Sequence, residues 1–141
     1  MKKMFFVGLV LVTTPAFAQK LDASKVPAPV KKAFTENFAG ATAIIWEKEN
    51  GNYEAGFKQN NQNKSATFAP DGAWMETEQS IEISNLPSSV MAYLAKNYKG
   101  EKIKEAAKLK LANGEIHYEA EVKGLDIIFD EKGNFIKTQK D

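Results

Sequence analysis

Val26-Pro27-Ala28-Pro29-Val30-Lys31-Lys32-Ala33-Phe34-Thr35-Glu36-Asn37-Phe38-Ala39-Gly40 returns sixty positions later, in altered letters, as Leu86-Pro87-Ser88-Ser89-Val90-Met91-Ala92-Tyr93-Leu94-Ala95-Lys96-Asn97-Tyr98-Lys99-Gly100. At that shift Val26-Pro27 meets Leu86-Pro87, and Val30 meets Val90. Phe34 likewise meets Leu94, Asn37 meets Asn97, Phe38 meets Tyr98 and Gly40 meets Gly100. Each stretch predicts an amphipathic helix. Proline at the first helical position gives up an amide that has no partner there. Val30, Ala33, Phe34 and Phe38 in one copy, and Val90, Leu94 and Tyr98 in the other, recur at helical spacing. A glycine stops each helix, and Lys31, Lys32 and Glu36 populate the opposite side.

The correspondence continues downstream with small changes of offset, as loops of unequal length require. Tyr53-Glu54-Ala55 aligns with Tyr118-Glu119-Ala120, Phe57 with Val122, Phe68 with Phe129, Gly72 with Gly133, Trp74 with Phe135 and Thr77 with Thr138. These segments read as strands. Residues 43–49 are β-prone and run into Asn50-Gly51, a strong hairpin signal. Tyr53, Ala55 and Phe57 alternate with polar neighbours at the period of a half-buried strand. Residues 59–63 read as a polar loop, Ser65 to Phe68 as a third strand, Pro70-Asp71-Gly72 as a turn, and Ala73 to Gln79 as a fourth strand. The second copy predicts strands near 102–111, 115–123, 125–129 and 134–139, with turns at Asn113-Gly114, Lys123-Gly124 and Glu131-Lys132-Gly133. The fold class is therefore α+β, a tandem repeat of a helix plus a four-stranded antiparallel β-meander. The repeats span residues 26–81 and 86–141, behind a linker over 19–25.

Residues 1–18 read as a secretory signal peptide: Met1-Lys2-Lys3, an apolar run from Met4 to Val12, and small residues at Ala16 and Ala18. Cleavage is expected after Ala18, which predicts a periplasmic or secreted protein. The alternative is an uncleaved anchor, although the run is shorter than the roughly 20 residues that span a bilayer. No stable membrane insertion is expected after cleavage. The chain has no cysteine, which excludes a lipoprotein anchor and disulfide staples alike, so a packed core must supply stability. Lys+Arg number 19 and Asp+Glu 18, and every basic residue is lysine. Near-neutral charge and the lack of guanidinium forks argue against nucleic acid as a partner.

Catalysis has little to work with. Nucleophilic mechanisms need an activated group beside a base. The chain offers one histidine, His117, and neither a cysteine nor a G-x-S-x-G elbow. No catalytic residue, cofactor or enzyme activity is assigned. His117, Glu119 and Glu121 share one strand face through two-residue spacing, with Glu54 at the place of Glu119 in the first copy. This set reads either as a ligand-binding group or as an ordinary solvated strand face. The Asp-Gly and Lys-Gly turns lack calcium-loop spacing.

Most strand aromatics should form the core beneath the helices. A single-layer sheet nevertheless has a second face that no further element covers, and an aromatic placed there would be a binding anchor. Trp46 and Trp74 are the candidates. Trp46 aligns with Ala106, whereas a core position should stay large in both copies.

The pattern VP-x-x-V-x-x-AF-x-x-x-F, then W-E-K-E, YEA-x-F, F-x-P-DG-x-W and LP-x-x-V-x-x-Y-x-x-x-NY-x-G resembles the PepSY-like, β-lactamase-inhibitor-like exported proteins. It runs from Val26 through Thr138. The resemblance implies two helix-plus-four-strand units able to join into one curved eight-stranded sheet with both helices on one face. It also implies an inhibitor-like binding role. The expected function is a non-catalytic extracytoplasmic module that binds a protein or peptide on the open sheet face. A small-ligand or metal-binding sensor is the alternative.

Overall fold

The computed structural model describes residues 19–140; the signal peptide read over residues 1–18 lies outside them. The chain divides into two compact units, with the break between Glu78 and Gln79. In the first unit, strand β1 (Gln19–Leu21) and a short 3-10 turn (Ala23–Lys25) precede helix α1 (Ala28–Asn37). Strands β2 (Thr42–Glu49), β3 (Asn52–Gln59), β4 (Gln62–Phe68) and β5 (Trp74–Ile81) follow, and β5 ends inside the second unit. That unit contains another 3-10 turn (Ile83–Asn85), helix α2 (Ser88–Asn97), and strands β6 (Ile103–Leu111), β7 (Ile116–Val122), β8 (Leu125–Asp130) and β9 (Phe135–Lys140). The class is α+β, and the pairings β1–β2–β3–β4 and β6–β7–β8–β9 are all antiparallel.

The helices start one residue later than the proline signal predicts. Pro27 and Pro87 sit at the N-caps, and their carbonyls accept the amides of Val30 and Val90 at 3.0 Å. Each helix buries a narrow stripe in the core of its own unit, Val30 and Phe34 in α1 and Val90 and Leu94 in α2. Phe34 lies edge-on to Trp46 at 5.3 Å and to Phe57 at 5.1 Å between ring centres. Such edge-to-face geometry satisfies the ring quadrupoles. The second core is aliphatic by comparison, built from Leu86, Val90, Leu94, Val122 and Ile127 around Phe129.

Two differences from the sequence reading have local causes. Residues 59–63 are not a loop: Gln59 pairs with Gln62, leaving a two-residue hairpin at Asn60-Asn61. Both asparagines take positive φ, 52° and 61°, a conformation asparagine tolerates better than most residues. The segment 19–25, read as a linker, contributes β1, which raises the eight expected strands to nine among the described residues. Leu21 pairs opposite Trp46 and packs on the first core, too short a contact to leave a periodicity.

The loops after β4 and β8 are tied to the helix starts. Gly72 has φ +92°, and a Cβ there would stand 2.7 Å from the Pro29 carbonyl oxygen. Gly133, at φ +84°, presses its backbone against Ser89 in the same way. Ser89 Oγ donates to the Lys132 carbonyl at 2.8 Å. In the second turn the Asp130 carboxylate accepts from the Lys132 and Asn134 amides and from Asn134 Nδ2, at 2.9 to 3.0 Å. These bonds, led by those from Asn134, hold its pKa below the usual carboxylate value.

Candidate binding face

Strand register decides which side chains look away from the helix. In β2–β4, Trp46, Ala55 and Ala66 form one rung on the helix side, so Glu47, Glu54 and Thr67 form a rung on the other. In β6–β9 the helix-side rung is Ala106, Ala120 and Ile127, and the reverse face has three rungs. These are Glu105–Glu121–Asp126–Gln139, Ala107–Glu119–Ile128–Lys137, and Leu109–His117–Asp130.

The six residues singled out from sequence divide sharply. Glu54, His117, Glu119 and Glu121 do lie on the faces away from the helices. Trp46 does not: it is 6% exposed and belongs to the first core under Phe34. Trp74 is half-buried against the same core, and its indole N–H donates to Thr77 Oγ1 at 2.9 Å. Neither tryptophan is an exposed anchor. The inference from Ala106 failed because bulk moves along the rung. Large-small-small at Trp46–Ala55–Ala66 becomes small-small-large at Ala106–Ala120–Ile127, which conserves the layer while swapping its ends.

The reverse face is also less solvated than expected. Its middle is buried in the second unit, with Leu109 and Ile128 inaccessible although neither joins the helix-side cluster. Polar groups are buried among them: Glu121, Asp126 at 2% exposure and Gln139 at 8%. Lys104, itself largely exposed, reaches Glu121 Oε2 at 3.3 Å. Both amide atoms of Gln139 lack a hydrogen-bond partner, as does His117 Nδ1, while His117 Nε2 contacts Glu115 Oε2 at 3.1 Å. In the first unit Glu54, Thr67 and Glu76 are buried.

His117, Glu119 and Glu121 are brought onto one face but not to one point. Side chains two apart on a strand stand about 7 Å from each other, so His117 and Glu121 are separated by about twice that. Among the described residues no group of three or more His, Asp or Glu is placed to hold a metal ion. Sequence reading missed Asp126 and Gln139. Asp126 left a signal: it is the lone acid inside the apolar run Leu125-Asp126-Ile127-Ile128-Phe129. Gln139 left none.

The architecture is that of a small α+β protein with a helix on one side of each meander and a polar row on the other. The chain belongs to the family described as "Putative beta-lactamase-inhibitor-like, PepSY-like", which matches it over residues 14–63 and 51–137. No curated protein matches it. Among solved structures it is similar to a periplasmic protein of Bacteroides eggerthii, at 19% identity and TM-score 0.74, covering 82% of this chain and 88% of that one. A DUF2874 family protein of Bacteroides ovatus is similar at 18% identity and TM-score 0.72, with 81% and 86% covered. A BLIP-like protein of Bacteroides fragilis is similar at 24% identity and TM-score 0.66, also with 81% and 86% covered. At these identities the likeness establishes a common fold. No helix among the described residues is long and apolar enough to cross a membrane.

Proposed function

We propose that this protein is a non-catalytic, extracytoplasmic binding module, inhibitor-like in mode, that takes a protein or peptide on the sheet face away from its helices. The reading treats residues 26–81 and 86–141 as two copies of one motif, exported by the leader over residues 1–18. The observation that carries it is the buried polar row on the reverse face of the second unit. Glu105, Glu121, Asp126 and Gln139 share one rung of that face, and both amide atoms of the buried Gln139 lack a hydrogen-bond partner. Buried polar groups cost stability unless a partner satisfies them. Family membership supports the same reading, as does the fold shared with a protein called BLIP-like. Extracytoplasmic placement is supported by the A-x-A leader and by the periplasmic name of a fold relative.

The test compares capture from the extracytoplasmic fraction of the native cell by wild type and by a folded Glu54→Lys/Glu121→Lys variant. One defined protein or peptide held by wild type and lost by the variant supports the proposal. Equal capture by both, or none by wild type, refutes it.

A further inference from the structure

We infer that the reverse face of the first unit seats an aromatic side chain of an extended partner segment on Ile45 and Gly56, while a carboxylate two residues along that segment pairs with Lys58. This rests on the binding-face reading above and names what is bound there.

The rung next to Trp46–Ala55–Ala66 is Ile45–Gly56–Ser65, on the face away from the helix. At the same place in the second unit, beside Ala106–Ala120–Ile127, the rung reads Glu105–Glu121–Asp126. Where one unit carries three acids, the other carries an isoleucine, a bare backbone and a hydroxyl. Ile45 is 48% exposed and its neighbour Ile44 43%. The second unit answers these two positions with Lys104 and Glu105, both exposed. The fold therefore accepts charge there, and an adjacent pair of exposed isoleucines serves contact with another molecule. A cavity of about 320 Å³ opens beside them, lined by both isoleucines, Leu21, Ala23 and Trp46, with Lys20 and Asp22 completing the lining. Ile45 belongs to the cavity and to the rung, so the two form one continuous apolar recess.

Gly56 supplies the independent observation. It stands inside β3 without positive φ. A Cβ there would meet only the Ile45 carbonyl oxygen, at an ordinary 3.9 Å. The neighbouring bulge in β2 does not require glycine either, since β6 has its own bulge, between Ile103 and Glu105, opposite Glu121. Glycine weakens a strand, and one kept without a conformational reason marks close approach by a ligand. The next residue of β3 on this face is Lys58, which is exposed. The acids nearby have other neighbours: Asp22 accepts the Ser24 amide at 2.9 Å, Glu47 is register partner to Lys20, and Glu54 is buried. Gly56 and Lys58 are two residues apart on a strand, about 7 Å. Alternate side chains of an extended partner segment repeat that spacing. An aromatic ring lying flat on Gly56 against Ile45 thus brings a carboxylate two residues away over the Lys58 ammonium.

The experiment uses the full chain exported and recovered from the periplasm, labelled with ¹⁵N and titrated with three blocked hexapeptides of alanine and glutamine. One carries phenylalanine and glutamate two residues apart, one phenylalanine and lysine, and one alanine and glutamate at those places. The first should move the amide resonances of Ile45, Gly56 and Lys58, and the other two should bind about tenfold more weakly. Ile45→Glu, the residue the second unit carries there, should cost the first peptide a similar factor. Lys58→Glu should reverse the preference in favour of the phenylalanine–lysine peptide. Gly56→Val separates recognition from folding: it should raise Tm, because valine suits a strand better than glycine, while weakening the first peptide. A fall in Tm would show that glycine serves the fold and would overturn its assignment. Equal binding of all three peptides, or shifts confined to other reverse-face residues, would overturn this inference and leave the binding-face reading standing. No shift with any peptide would overturn it as well, and the binding-face reading would fall with it only if wild type also captured nothing in the test above.

Discussion

Trp46→Ala should cost the first unit about 3–5 kcal/mol, the usual loss for truncating a buried tryptophan. Trp46 is 6% exposed, meets Phe34 edge-on and shares a rung with Ala55 and Ala66. About 0.5–1.5 kcal/mol of that loss belongs to the aromatic contact and cannot be recovered by an aliphatic residue. The remainder is burial and cavity. The second unit places its bulk at the other end of the corresponding rung, at Ile127. Ala66→Ile should therefore refill part of the space left by Trp46→Ala. Three added carbons at about 0.8 kcal/mol each return roughly 2.4 kcal/mol. In the wild-type background the same Ala66→Ile change overpacks a filled layer and should cost about 1–3 kcal/mol. The two substitutions are thus predicted to couple favourably by more than 2 kcal/mol. Urea unfolding of all four proteins measures this, provided m stays constant across the cycle. Coupling smaller than about 0.5 kcal/mol, the additivity expected of independent sites, would refute the account of bulk moving along the rung.

Three further predictions follow from the turns and the polar faces. Gly72→Ala should destabilise by more than about 1 kcal/mol, since it strains a positive φ and drives a Cβ to 2.7 Å from Pro29 O. Gly114→Ala, at positive φ but with nothing near its Cβ, should cost less in the same urea titration. Asp130 is held below the ordinary carboxylate pKa by Asn134 and Lys132. Its contribution is therefore present above its unfolded value and lost as pH falls through the lowered folded one. Melting curves between pH 2 and 6 should show Asp130→Asn less stable than wild type at the upper end and the difference closing in acid; a constant gap would reject the linkage. Glu121→Gln should lower the salt sensitivity of stability only slightly, because Lys104 is largely exposed and such pairs contribute little; melting in 0.05 and 0.5 M salt decides it.

Much of the fold was legible because its signals are local. Proline-glycine bracketing placed both helices to within a few residues, and Asn50-Gly51 and Lys123-Gly124 marked hairpins whose residues do take positive φ. Other features depend on partners far away in the chain. Strand β1 is three residues long and exists through its pairing with β2, not through any pattern in Gln-Lys-Leu. Asn60-Asn61 read as part of a polar loop because asparagine serves loops and tight turns equally well. For the candidate face, two-residue spacing correctly grouped His117, Glu119 and Glu121. It could not reveal which side of the sheet Trp46 occupies, since a bulge in β2 between Thr42 and Ile45 interrupts the alternation. Nor could it find Gln139, whose burial arises from the register of β8 against β9.

The central claim is that recognition occurs on the faces away from the helices. Site-specific photocrosslinking in intact cells addresses it directly, with a photoreactive residue placed singly at Glu105 or Glu119 on the reverse face and at Lys32 or Lys96 on the outer sides of α1 and α2. The account predicts one discrete higher-mass adduct from positions 105 and 119 and none from 32 and 96. Adducts from the helix positions with none from the reverse face would contradict it.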